Sequence, residues 1–145
     1  MQATRFPPDG ARGVGPGRAA GYGYRLFDYL AAANQSLLLA IQVETAEGLA
    51  NIDEIAAVDG IDLIFIGPGD LSVSIGAMGP DNRARLDAAI LSIAGRRVGI
   101  FRPSTDDIGT WRAAGITFFL VASDTMFLGA SLAAAMDAAR DAASA

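Results

Sequence analysis

Histidine, lysine and cysteine are all absent from this chain of 145 residues. Without cysteine there is no disulfide framework, no thiolate zinc site and no thiol nucleophile, and the redox compartment is left open. All eleven basic residues are arginine, so an imine between substrate and enzyme is excluded within this chain. The lack of histidine removes the commonest general base, the usual nitrogen ligand for metals and the middle member of a hydrolase triad. Chemistry therefore falls to carboxylates, arginines, backbone groups and a metal or a second polypeptide.

Two further absences bound the partners. No apolar stretch reaches membrane-spanning length without interruption, and the start lacks the basic and apolar regions of a signal peptide, so a cytoplasmic location and no membrane partner are expected. A net charge of -5, with no basic stripe, argues against nucleic acid. What the chain does have is apolar content, 52%, enough to fill the core of one domain.

The apolar residues are arranged around residues 37 to 71. Leu37-Leu-Leu-Ala-Ile-Gln-Val-Glu-Thr45 and Ile61-Asp-Leu-Ile-Phe-Ile-Gly-Pro-Gly-Asp-Leu71 are apolar runs too short for helices, and each ends on a carboxylate, Glu44 and Asp70. Between them Leu49, Ile52, Ile55 and Ala56 have helical spacing, so the segment reads as strand, helix, strand. Continuous apolar strands imply a parallel sheet covered by helices, with Glu44 and Asp70 on its carboxyl-end edge, where α/β folds bind ligands.

The flanks extend this unit. Residues 1–24 are too rich in glycine and proline for regular structure, and the glycines from Gly13 to Gly17 lack the spacing and strand context of a phosphate cradle. A helix is expected over 25–35, with Leu26, Tyr29 and Leu30 on one face and Asn34 as its stop. After a loop from Ser72 to Pro80, a helix over 81–95 is expected to be capped by Asp81 and to turn Leu86, Ala89, Ile90 and Ile93 inward. A strand over 97–101 precedes a helix from Thr105 to Ala114, in which Asp106 and Asp107 serve the helix start. A strand over 116–122, with Phe118 and Phe119 both in the core, leads through Ser123 and Asp124, read as supporting or capping residues, to an alanine-rich helix over 126–143 with a seam of Leu128, Leu132 and Met136. Trp111 is assigned to packing, and Arg12 to an ion pair or to an anionic substrate tail. Four successive βα units fit a small doubly wound sheet or half of a (β/α)8 barrel, and a full barrel needs about 250 residues.

Five segments in order carry a resemblance. Pro7-Pro-Asp-Gly-Ala-Arg-Gly-Val-Gly15, Gln42-Val-Glu-Thr45, Asn51-Ile-Asp-Glu-Ile-Ala-Ala-Val-Asp-Gly60, Phe65-Ile-Gly-Pro-Gly-Asp-Leu-Ser72 and Val121-Ala-Ser-Asp-Thr125 resemble the metal-dependent class II pyruvate aldolases of the 4-hydroxy-2-oxoheptanedioate and 2-dehydro-3-deoxyglucarate aldolase type. The resemblance implies an α/β fold, a partial (β/α)8 TIM barrel comprising strands five to eight. Residues 1–24 are then an arm or loop, and residues 25–145 the carboxyl-terminal half of the barrel.

By that resemblance Glu44 and Asp70 hold a divalent cation. Gln42 and the backbone N–H of Gly69, where the family usually has alanine, contact a pyruvate-like 2-oxo acid beside Asp70. The implied reaction is cleavage of a 4-hydroxy-2-oxo acid to pyruvate and an aldehyde through a metal-stabilised enolate. All-oxygen ligation suits Mg2+ or Mn2+, with Co2+ a further candidate. The family's histidine base, its aspartate support and its arginine all match positions upstream, so no catalytic base lies within these residues. A homo-oligomer, or association with the missing amino-terminal half, is implied. Two alternatives remain: a citrate lyase beta-type lyase acting on a thioester, and a truncated non-catalytic module that binds metal and oxo acid.

Overall fold

The computed structural model describes residues 2–93 and 96–144. The elements run α1 (Leu26–Ser36), β1 (Ala40–Val43), α2 (Ala46–Ala50), α3 (Ile52–Ala56), β2 (Leu63–Ile66), α4 (Pro68–Ser74), α5 (Arg83–Leu91), β3 (Val98–Arg102), α6 (Ile108–Ala113), β4 (Phe118–Val121) and α7 (Asp124–Ser144), with 3-10 turns at Gln2–Thr4, Arg18–Gly23 and Pro80–Asn82. The strands form one sheet in the order β1-β2-β3-β4. The parallel register pairs Ile64 with Val98 and Ile66 with Ile100, then Ile100 with Phe119 and Arg102 with Val121. Strands in sequential order with helices between them are the repeated βα units expected from the apolar runs.

The chain divides into two compact units, Met1–Ile41 with Val58–Leu63, and Gln42–Ala57 with Ile64–Ala145. In the first, Phe6 is buried and packs edge-to-face on Tyr29 with ring centroids 5.8 Å apart. Asn34 is not the stop of α1, which continues to Ser36. Its amide instead accepts from Phe6 N (2.8 Å) and donates to Phe6 O and Asp9, tying the arm down. Arg12 stacks over the Phe6 ring at 4.7 Å, and no ion pair involves it among the described residues. The strand expected from Leu37 starts only at Ala40 because the preceding backbone bonds elsewhere: Leu37 N donates to Ala33 O, and Leu39 N to Asp62 Oδ2.

The second unit holds the core, in which Val43, Ile52, Ile64, Ile66, Leu71, Ile90, Ile93, Val98, Ile100, Trp111 and Ile116 pack together. Alternation puts Ile64 and Ile66 of β2, and Val98 and Ile100 of β3, on the helix-covered face of the sheet. The single helix expected between β1 and β2 is two, broken at Asn51 (φ -97°, ψ 17°), a weak helix former sitting in the bridge region. Asp81 lies in a 3-10 turn and does not cap α5, whose N-cap Asn82 makes no side-chain cap bond. The expected helix over 81–95 is α5 in its central part, and its positions 94 and 95 lie outside the described residues. Phe119 packs on the core, but Phe118 does not belong to it: 37% exposed, it lies on the opposite face with the exposed Leu120 and meets Phe65 edge-to-face. The seam of α7 is likewise exposed, with Leu128, Leu132 and Met136 uncovered and no residue of the helix buried. Ser123 and Asp124 do cap that helix, Ser123 Oγ accepting from Met126 N and Asp124 from Thr125 N. Among the described residues no helix is long and apolar enough to cross a membrane.

Candidate functional site

The carboxyl end of β1 carries the first acidic position. Because side chains alternate along a strand, Val43 turns into the core while Gln42 and Glu44 share the other side. Gln42 Nε2 donates to Glu44 Oε2 at 2.6 Å, fixing the carboxylate's orientation. Thr45 ends this short run by capping α2, its Oγ1 accepting from Gly48 N at 3.0 Å.

The neighbouring strand end approaches this pair through Gly67. Its N–H donates to Val43 O at 3.4 Å, and a Cβ built on it would stand 2.8 Å from Gln42 Nε2 and 2.9 Å from Glu44 Oε2. The turn at Gly67 that leads to Asp70 therefore passes directly beside the Glu44 carboxylate. Asp70 itself is not a strand end, and the loop expected from Ser72 begins only after Ser74: Pro68, with its pre-set φ, opens α4 at its first position, and Asp70 lies in the first turn. Gly69 and Asp70 are exposed, and the Asp70 carboxylate enters no hydrogen bond or ion pair among the described residues. First-turn N–H groups of a helix have no acceptor within the helix, which leaves that of Gly69 available. Nothing lies within 4 Å of a Cβ built on Gly69, so this position, unlike Gly67, has room for a side chain.

The donor set fits a hard cation in part. Carboxylate oxygens from Glu44 and Asp70 suit Mg2+ or Mn2+, but no group of three or more acidic side chains able to hold a metal occurs among the described residues, so other ligands are needed.

A second polar cluster, at the carboxyl end of β3, escaped the sequence reading. Arg102 is the only buried charged residue among those described, at 7% exposure. Its Nε donates to Asp107 Oδ1 at 2.9 Å, its NH2 group to Oδ2, and its guanidinium lies over the Trp111 ring at 5.4 Å. Trp111 Nε1 donates to the same carboxylate at 3.2 Å, and Arg83 approaches it at 3.4 Å. Burial pushes the Asp107 carboxyl up, but hydrogen bonds from Arg102 and Trp111 and the charges of Arg102 and Arg83 outweigh it, holding it below its ordinary value of 3.8. Asp107 thus occupies the N-cap position of α6 without capping it, its carboxylate being engaged elsewhere. The signal available in the sequence was one arginine closing an apolar strand, with an aspartate five residues on.

Comparison with known proteins agrees with this architecture. The chain is 42% identical over 135 residues to a hydroxypyruvate/pyruvate aldolase of Deinococcus radiodurans, covering 88% of this chain and 49% of that protein. It is 44% identical over 134 residues to a 2-keto-3-deoxy-L-rhamnonate aldolase of Klebsiella pneumoniae, covering 87% and 50%. The chain therefore spans about half the length of these curated relatives. A crystal structure of an HpcH/HpaI aldolase/citrate lyase family protein from Burkholderia cenocepacia superposes with a TM-score of 0.78 at 36% identity, over 96% of this chain and 58% of that one. The fold is accordingly α/β, a part of the barrel these proteins share. With the match of the family itself extending over residues 1–130, the chain belongs to the HpcH/HpaI aldolase/citrate lyase family.

Proposed function

We propose that this chain contributes the cation-binding and oxo-acid-binding part of a class II pyruvate aldolase, which cleaves a 4-hydroxy-2-oxo acid to pyruvate and an aldehyde. The observation that carries the reading is the Glu44 carboxylate, oriented by Gln42 at 2.6 Å and overlain by the turn that leads to Asp70. Relatives named as pyruvate and keto-deoxy acid aldolases support it over a thioester lyase. Glu44 and Asp70 hold the cation, Mg2+ or Mn2+ with Co2+ a further candidate. The amide of Gln42 and the N–H of Gly69 orient the oxo acid. When bound, the cation supplies Lewis-acid polarisation of the substrate ketone.

The chain's own residues orient and bind; they do not move the proton. With no histidine or lysine present, the base belongs to polypeptide beyond residues 25–145, which form the carboxyl-terminal part of the barrel. The exposed face of β4 with Phe118 and Leu120, and the exposed seam of α7, offer apolar surface for such an association or for a homo-oligomer. The test is pyruvate release from a 4-hydroxy-2-oxo acid with Mg2+ or Mn2+, with and without an added amino-terminal half carrying the histidine. Turnover only when both halves and the metal are present is the expected result. No turnover in any combination ends the enzymatic reading. The reading as a non-catalytic module rests on the absence of histidine from the sequence. It predicts metal-dependent pyruvate binding without turnover at any pH.

A further inference from the structure

Gly67 is unusual among the glycines of this chain in what its missing side chain makes room for. Its backbone, at φ -93° and ψ 89°, is open to any L-residue, so conformation does not demand glycine there. Space does. A Cβ would stand 2.8 Å from Gln42 Nε2, 2.9 Å from Glu44 Oε2 and 3.2 Å from Glu44 Cβ. The two shortest approaches are to the heads of flexible side chains rather than to backbone, so the fold can absorb an added methyl group by letting those heads swing away. What such a swing breaks is the 2.6 Å hydrogen bond between them.

We propose that Gly67 is a positioning residue, the notch that seats the Gln42 amide against the Glu44 carboxylate and so fixes the direction in which that carboxylate presents its oxygens. This rests on the reading of Glu44 as a cation ligand. An added methyl group at this position meets first the side chains of Gln42 and Glu44, neither of which belongs to the packed cluster that holds Ile66 and Leu71. It costs orientation instead, and with it cation affinity, since a ligand displaced by even about 1 Å no longer meets a cation that demands near-ideal octahedral geometry.

The experiment uses the full chain with Mn2+ as probe in the presence of pyruvate, read by electron paramagnetic resonance. It is accompanied by the 15N–1H resonances of the Gln42 side-chain amide without metal and by the thermal midpoint. The variants are Gly67→Ala, Gln42→Ala, the double variant and Glu44→Gln, with Gly109→Ala as control, since a Cβ there would meet nothing within 4 Å. Gly67→Ala is expected to shift the Gln42 amide resonances, to weaken Mn2+ binding about tenfold and to leave the thermal midpoint within about 2 °C of the parent. In the Gln42→Ala background, where the closest obstructing atom is gone, the same substitution is expected to cost less than about threefold. That non-additivity is the signature of a shared contact. Unchanged Mn2+ affinity in Gly67→Ala, or an equal loss in both backgrounds accompanied by a lowered midpoint, overturns the proposal. Should Glu44→Gln leave Mn2+ binding untouched, the cation reading of the site fails first. A loss in Glu44→Gln alone condemns only the role of Gly67.

Discussion

Two strand ends of the same sheet are built in opposite ways. At β3, Arg102, Asp107 and Trp111 form a closed set in which the carboxylate receives the guanidinium on both oxygens and the indole N–H as well, with Arg83 nearby. At β1 and β2, Glu44 takes one hydrogen bond, from Gln42, and Asp70 takes none among the described residues. The first arrangement spends its polar capacity on itself and stabilises the fold. The second leaves carboxylate oxygens without partners among the described residues. Polar groups whose hydrogen-bonding capacity is used up are structural by default, whereas uncommitted acidic groups held in place by a neighbour are what a binding site requires.

This contrast can be broken most strongly at β3. Arg102→Met should lower unfolding free energy by about 2 kcal/mol, less than the roughly 3–5 kcal/mol lost on breaking a fully buried pair because Asp107 remains partly exposed, while Mn2+ binding stays at the parent level. A urea titration beside a metal titration reads both, and loss of metal affinity would erase the distinction between the two ends. Glu44→Gln should do the reverse, weakening Mn2+ binding about tenfold, or about 1.4 kcal/mol, with stability changed by less than about 0.5 kcal/mol. A large drop in stability there would make Glu44 a structural residue.

Smaller effects sharpen the comparison. Thr45→Ala removes the cap on α2 and should cost about 1 kcal/mol without moving the Gln42 amide resonances, since the cap and the Gln42–Glu44 pair are separate bonds. The smallest effect is on pH dependence. Asp107 has a folded value below its ordinary 3.8, so it binds its proton less readily in the folded chain; its contribution is present above that value and is lost as pH falls through the lower folded one. Urea midpoints measured at about pH 5 and about pH 3 should therefore differ less in Asp107→Asn than in the parent. An equal difference in both would show that the network does not act through this carboxyl.

The legibility of these two ends in the sequence was unequal. The βα units were readable because short apolar runs separated by helical spacing leave few alternatives, and the place of Gln42 and Glu44 at the close of such a run was readable with them. Asp70 was given the wrong local structure: the apolar run suggested a strand to Leu71, but Pro68 starts a helix at once. Gly67 passed unnoticed, since a glycine before a proline reads as a turn residue and only coordinates reveal what fills the space beside it. Asp107 was misread as a capping residue because capping is local, whereas its partner Arg102 comes from the preceding strand. Phe118 was assigned to the core because apolar periodicity tells which residues share a face, not whether anything covers that face.

By itself, the sequence determined the order of strands and helices, the exclusion of imine and histidine chemistry, and the family. Each of these depends on residue identity and short-range spacing. The tertiary structure alone decided that Glu44 is gripped by Gln42 under Gly67, that Arg102 is neutralised within the fold, and which apolar faces stay bare. These depend on the approach of segments separated along the chain, where an ångström of clearance fixes whether a carboxylate is engaged in a network or left without a partner.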